Sequence, residues 1–188
     1  MQRLAVFLDR DGTITEDMGY SRLQRIQLLP KVVDGLKLLK KSGFLLIMIT
    51  NQPGVAKGII TEGKVQDTNK TLNVLLEKSK CTIDAHYYCP HHPSGTIKEY
   101  SQSCNCRKPK AGLLVKAAKD FSLDLRRCFL IGDYSWDIQA GKQVGCKTVL
   151  VAYHKRNKSD FDQIYKESQP DFFCLNFYEA AKTITANL

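Results

Sequence analysis

The sequence predicts an α/β fold: a Rossmann-like open, mostly parallel sheet with helices on both faces. Three observations carry this expectation. Short, uninterrupted apolar runs recur along the chain, LAVFL, LLIMI and CFLI among them. Runs of that kind suit strands buried on both faces. Segments with apolar residues at helical spacing separate them. The two kinds of segment alternate throughout, as βαβ crossovers require.

The elements follow in order. LAVFL, Leu4 to Leu8, reads as a buried strand that runs into Asp9. Lys31 to Ser42 carries Val32, Leu36 and Leu39 at helical spacing, and Gly43 supplies a stop. Leu45 to Ile49 is a second strand, closed by Thr50. Thr61 to Lys80 is a long helix with Leu72, Leu75 and Leu76 facing inward. Ala85 to Cys89 is a third strand, followed by a polar loop. Ala111 to Phe121 is a helix, Cys128 to Ile131 a fourth strand, Ser135 to Val144 a helix and Lys147 to Val151 a fifth strand. Phe172 to Leu175 is a sixth, with Asn176 capping a last helix. In open α/β sheets ligands gather at the carboxyl ends of the strands. Those ends carry Asp9, Thr50, Cys89 and Asp133.

The 188 residues suit one domain with a sizeable core. No linker divides residues 1–188, and no insert is large enough for a cap domain. The apolar run near the N-terminus is too short for a signal peptide, and no stretch is long enough to span a membrane. Seven cysteines without an export signal argue against disulfides. The expected setting is therefore cytoplasmic, with no membrane partner. Cys81, Cys128, Cys146 and Cys174 sit in apolar or segment-edge contexts and read as small buried hydrophobes. The net charge is +9. Lys and Arg are spread along the chain rather than clustered, which favours a small anionic ligand over nucleic acid. The densest basic run, His154 to Lys158, reads as a solvated loop.

The strand ends carry the chemistry. DRDGT, Asp9 to Thr13, places two carboxylates two residues apart, and a turn at Gly12 can aim both at one pocket. Two acids that close repel, so the site wants a cation. A calcium loop shares D-x-D-G but needs an acid at its twelfth position, where Tyr20 stands. TNQPG, from Thr50, offers hydroxyl and amide groups for phosphate oxygens. Lys108 and GDYSWD, Gly132 to Asp137, follow.

The loop from Cys89 to Lys110 reads C-x-H-x12-C-x-C through Cys89, His91, Cys104 and Cys106. Three thiolates and an imidazole form a closed tetrahedral zinc set. His92 rivals His91, and the spacing does not choose between them. Four protein ligands leave no open position, so this zinc is structural, stabilising a loop over about residues 89–106. Arg107 and Lys108 follow the last ligand directly.

Asp9, Thr50, Lys108 and Asp133, in that order on an α/β chain, resemble the four motifs of the haloacid dehalogenase-like phosphatases. The run DRDGT, DMGY, TNQ, CPHHP, CxCRKP and GD looks like the heptose-bisphosphate phosphatase branch, which resembles D-glycero-D-manno-heptose 1,7-bisphosphate 7-phosphatases over nearly the whole chain. The related histidinol-phosphate phosphatases share the zinc signature, typically with a shorter spacer. The resemblance implies a Mg²⁺-dependent phosphoric monoester hydrolase working through an aspartyl-phosphate, in the route to lipopolysaccharide or another surface glycan. Asp9 would be the nucleophile and Asp11 the acid and base. Mg²⁺ would bind the Asp9 carboxylate, the Asp11 carbonyl and Asp133, with Asp137 behind them. Thr50, the Asn51 amide and Lys108 would hold the phosphoryl group. Asp17, Met18, Gly19 and Tyr20, Thr50 to Pro53 (Thr50, Asn51, Gln52, Pro53), Arg107 and Lys108 would contact a sugar bisphosphate. The branch commonly has TNQS. Pro53 stands here for that serine and lacks both its hydroxyl and its N–H. A monomer is expected. A zinc-loop nucleic-acid end phosphatase ranks last, because the loop holds one aromatic residue, Tyr100.

Overall fold

The computed structural model describes residues 3–17, 19, 26–152 and 157–188. Met18 and Tyr20, two of the expected substrate contacts, lie outside the described residues, as does most of the basic run before Lys158.

β1 is Leu4–Leu8, α1 Val32–Lys41, β2 Phe44–Asn51, α2 Glu62–Glu77, β3 Ala85–Cys89 and α3 Gly112–Phe121. β4 is Phe129–Gly132, α4 Ser135–Gln143, β5 Lys147–Val151, α5 Lys158–Ser168, β6 Phe172–Cys174 and α6 Phe177–Ala186. The strands pair in the order β3-β2-β1-β4-β5-β6, and every pairing is parallel.

The strands alternate between two apolar layers. Val6 and Leu8 of β1 meet Leu36 and Leu39 of α1, Leu72 and Leu76 of α2 and Ala180 and Ile184 of α6. Ala5 and Phe7 point the other way, to Leu114 and Ala117 of α3 and Ala140 of α4. Leu150 of β5 joins Ile138 of α4 and Ile164 of α5. This two-sided burial is why the strands read as unbroken apolar runs. Asn176 caps α6, its side chain accepting from the Glu179 N–H at 3.0 Å.

Two expectations change. α5 was not foreseen: Phe161, Ile164 and Ser168 are its sparse inward residues in an otherwise polar run. Its start at Lys158 turns the end of the expected solvated loop into a helix, capped by the Asn157 side chain on the Asp160 N–H. β2 runs to Asn51, so Thr50 lies inside the strand rather than after it.

Connections leave β1 toward α1 on one side and β4 toward α4 on the other. β1 and β4 are neighbours, so their carboxyl ends form the switch point where doubly wound sheets bind ligands. Asp9 follows β1 and Asp133 follows β4; the Asp9 N–H donates to the Ile131 carbonyl at 3.0 Å.

Candidate active site

A cavity of about 380 Å³ opens above this switch point. Asp9, Thr50, Lys108 and Asp133 line it, and all four side chains are buried. The chain leaves β1, turns at Gly12 and forms one wall of the cavity. Glu16 donates its N–H to the Gln27 carbonyl and Leu29 to Ile14, both at 2.9 Å. Gly12 has φ +87° and lies against Asp133: a Cβ there would stand 2.4 Å from Asp133 Oδ2. Only glycine permits both the turn and this approach.

Lys108 is the hub of the cavity floor. Its Nζ lies 2.6 Å from Asp9 Oδ1 and 2.6 Å from Asp137 Oδ1, and donates to the Ile49 carbonyl at 2.9 Å. Burial works against the ammonium, but Asp137 and Asp9 outweigh it, and the lysine pKa is raised. Burial drives the Asp9 carboxyl well above its ordinary value; Lys108 opposes this, and Asp137, Asp133 and Asp11 add to it. Asp137 also accepts the Tyr134 N–H at 3.1 Å, bracing the first turn of α4.

Carboxylate oxygens of Asp9, Asp133 and Asp137 all lie within 4.8 Å of one another. One lysine does not neutralise three such acids, so the donor set suits a hard, oxygen-seeking cation such as Mg²⁺. Asp137 already uses its two oxygens on Lys108 and Tyr134. That leaves Asp9 and Asp133 as the carboxylates best placed to hold an ion.

Asp11 is engaged differently. Arg10 Nε donates to its Oδ1 at 3.1 Å and Nη2 to its Oδ2 at 3.0 Å. Gln52 Nε2 adds a bond to Oδ2 at 2.9 Å. Arg10 is only 1% exposed and is itself held by Asn69 Oδ1 on α2, at 3.2 Å. Sequence reasoning missed Arg10 and Asn69. The available signal was a guanidinium wedged between two acids at a buried strand end.

Gln52 also donates to Thr50 Oγ1 at 2.9 Å. The Asn51 side chain is committed to Lys108: its Nδ2 donates to the Lys108 carbonyl and its Oδ1 accepts the Lys108 N–H, both at 3.0 Å. That double bond pair ties the end of β2 to the segment following the cysteine loop. Asp17, Gly19, Pro53 and Arg107 line the upper cavity. Arg107 Nη1 is buried with no hydrogen-bond partner among the described residues.

In the loop after β3, Cys89, His91, Cys104 and Cys106 converge, with one donor atom from each within 4.8 Å of the others. Cys106 Sγ lies 3.2 Å from Cys89 Sγ and 3.3 Å from both Cys104 Sγ and His91 Nδ1. Hydrogen bonding among the crowded thiols pulls Cys106 below the usual range and pushes Cys89 above it. This set is compatible with zinc. His92 turns away and accepts the Ser94 N–H on Nδ1 at 3.1 Å. All seven cysteines are free, and Cys81, Cys128, Cys146 and Cys174 are buried.

The family model described as HAD-hydrolase-like matches residues 105–180. The chain is 40% identical over 162 residues to a D-glycero-beta-D-manno-heptose-1,7-bisphosphate 7-phosphatase of Photorhabdus laumondii, covering 85% of this chain and 86% of that protein. The protein of the same name from Escherichia coli K12 is 38% identical over 149 residues, 78% of each chain. Among solved structures, a D,D-heptose 1,7-bisphosphate phosphatase from B. bronchiseptica, complexed with magnesium and phosphate, superposes with a TM-score of 0.84 at 23% identity, covering both chains fully.

Proposed function

The chain belongs to the haloacid dehalogenase-like phosphatases of the heptose-bisphosphatase branch, and from that premise we propose that it removes the C7 phosphate of D-glycero-D-manno-heptose 1,7-bisphosphate. The observation that carries the reading is the meeting of Asp9 and Lys108 at 2.6 Å on the floor of a buried pocket, across 99 residues of sequence. A carboxylate held against a fixed ammonium at a strand end is a poor structural choice and a good nucleophile site.

Asp9 attacks phosphorus in line and forms the aspartyl-phosphate. Asp11 gives a proton to the departing sugar alkoxide and later takes one from the hydrolysing water. Arg10 and Gln52 fix its orientation for both steps. Lys108 and Thr50 face the phosphoryl oxygens, whose charge needs preorganised donors. Bound Mg²⁺ would supply a hard cation for the phosphate charge, held by the Asp9 carboxylate, the Asp11 carbonyl and Asp133. Zn²⁺ on Cys89, His91, Cys104 and Cys106 would close the loop that presents Arg107 and Lys108. The Arg107 guanidinium, whose Nη1 has no hydrogen-bond partner among the described residues, suits the anionic, hydroxyl-rich remainder of the substrate. Asp17 to Tyr20 and Pro53 complete the expected sugar side.

Among the described residues, no helix is long and apolar enough to cross a membrane. Free cysteines suit a reducing compartment, so the cytoplasm is the proposed setting.

The test is kcat/KM measured side by side for both anomers of the heptose 1,7-bisphosphate and for histidinol phosphate, with the released phosphate assigned by phosphorus NMR. The heptose ester should lead by at least about 10²-fold, a difference that polar contacts to a cognate substrate support. Preference for histidinol phosphate, or loss of the C1 phosphate, would overturn the reading.

A further inference from the structure

Part of the cavity is not accounted for by phosphoryl transfer. Its volume, about 380 Å³, falls in the range of sites that enclose a whole small molecule and far exceeds a phosphoryl group. Tyr134 and Trp136 line it beside Asp133. Their rings stack with centroids 3.7 Å apart and planes inclined by 22°. Trp136 nonetheless remains 39% exposed. Stacking on Tyr134 covers one face of the indole, Tyr134 packs in turn against Ile138, Leu150 and Ile164, and the exposed part of Trp136 borders the cavity.

The pair is not a loose surface feature. Tyr134 precedes α4 and Trp136 lies in its first turn. The Tyr134 N–H is bound to Asp137, the same carboxylate that holds Lys108. The rings are thus referenced to the reacting centre through one buried side chain. A flat apolar wall in the same cavity as charged donors matches a ligand with an anionic end and a C–H-rich ring.

We infer that Trp136, backed by the stacked Tyr134 ring, forms an aromatic wall against which the pyranose ring of the substrate packs, making Trp136 a specificity-determining residue. This rests on the sugar-phosphate reading above. Arg107 and the wall then divide the recognition: the guanidinium takes oxygens, and the indole takes the carbon face.

Trp136 is the sole tryptophan of the chain, so its fluorescence reports this site alone. The experiment uses the metal-loaded Asp9→Asn protein, which binds without turnover. Titrating heptose 1,7-bisphosphate should shift or quench the emission saturably, at the Kd found by calorimetry. Inorganic phosphate, at concentrations that inhibit the wild-type enzyme, should leave it unchanged. In the active enzyme, Trp136→Ala should raise KM for the heptose ester about 10-fold and change kcat less than about 3-fold, while Trp136→Phe should retain most of the affinity. KM for glycerol 3-phosphate, which has no ring, should not move. Calorimetric binding of the heptose ester with silent tryptophan emission, or equal KM effects on ring and acyclic esters, would overturn the wall. Turnover of the heptose ester by the wild type is measured first. Its absence removes the substrate reading alone, and the wall is then judged by whether Trp136→Ala abolishes discrimination between mannose 6-phosphate and glycerol 3-phosphate.

Discussion

Asp9→Asn leaves a neutral amide that does not attack phosphorus. The variant should fold normally, by circular dichroism and thermal unfolding, and should show no turnover. Gly12 makes a sharper test of geometry, because its positive φ and the 2.4 Å approach of Asp133 leave no room for a side chain. Gly12→Ala should displace the Asp133 carboxylate, raise the Mg²⁺ concentration for half-maximal activity at least about tenfold, and cost about 1–3 kcal/mol of stability. A Mg²⁺ titration with a melting curve checks both effects. Arg10 acts through Asp11. Arg10→Lys keeps the charge but loses the forked pair of bonds. Its kcat for the sugar ester should fall about 10-fold or more, within the range general acid–base catalysis contributes. With 2,4-dinitrophenyl phosphate, whose leaving group needs no proton, the pre-steady-state burst of phosphorylation should be nearly unchanged, while hydrolysis of the aspartyl-phosphate, which still needs Asp11 as base, should slow. Parallel kinetics on the two esters decide between a positioning role and a purely structural one.

At the scale of elements, the cysteine loop and β2 share the task of presenting Lys108. The converging Cys89, His91, Cys104 and Cys106 suit a metal clamp on one side. Asn51 clamps the Lys108 backbone on the other, through two bonds of 3.0 Å. The loop is also stitched to the turn after β2: Thr96 and Ile97 donate to the Ala56 carbonyl at 2.8 and 2.9 Å, and Ala56 donates to Pro90 at 3.1 Å. A site this redundant should tolerate one loss better than two. Cys104→Ser should abolish stoichiometric zinc and lower the melting temperature, yet reduce kcat only about 10-fold. Asn51→Ala should cost a similar amount, on the order of one or two hydrogen bonds. The double variant should exceed the roughly 10²-fold product of the two single losses and approach the upper end, about 10³-fold, of the loss expected when a fixed donor is removed outright. Zinc content and kcat on the three variants, arranged as a double-mutant cycle, test this. Strictly multiplicative losses would show that the two clamps act independently.

The whole molecule carries a net charge of +9, and its proposed substrate is a multiply charged anion. A positive field raises the local concentration of a multiply charged ligand and is screened by salt. Raising ionic strength from about 0.02 to 0.3 M, across which the Debye length shrinks severalfold, should therefore raise KM for the bisphosphate more than for a monophosphate, with kcat little affected. Initial rates over a salt series check this. The sheet order β3-β2-β1-β4-β5-β6 explains why the carboxylates meet at one place. Reversal of the winding direction between β1 and β4 opens the only kind of crevice into which Asp9 and Asp133 both project.

The primary sequence determined the alternation of strands and helices, because two-sided burial leaves unbroken apolar runs and one-sided burial leaves helical spacing. It also marked Asp9, Thr50 and Asp133 at or near strand ends, Lys108 after the cysteine loop and the four residues of that loop, since each motif is local and chemically distinctive. α5 escaped because a helix that buries few side chains writes a weak apolar pattern. What only the tertiary structure decided depends on contacts between distant segments. His91 rather than His92 joins the cysteines, because His92 is spent on its own turn. Asn51 holds Lys108 across 57 residues, Asn69 holds Arg10 across 59, and Asp137 braces Lys108 from the first turn of α4. Neither the partner of a buried polar group nor the direction of its side chain is encoded within a few neighbouring residues. Both are settled by the packing of the sheet and helices that bring those partners within bonding distance.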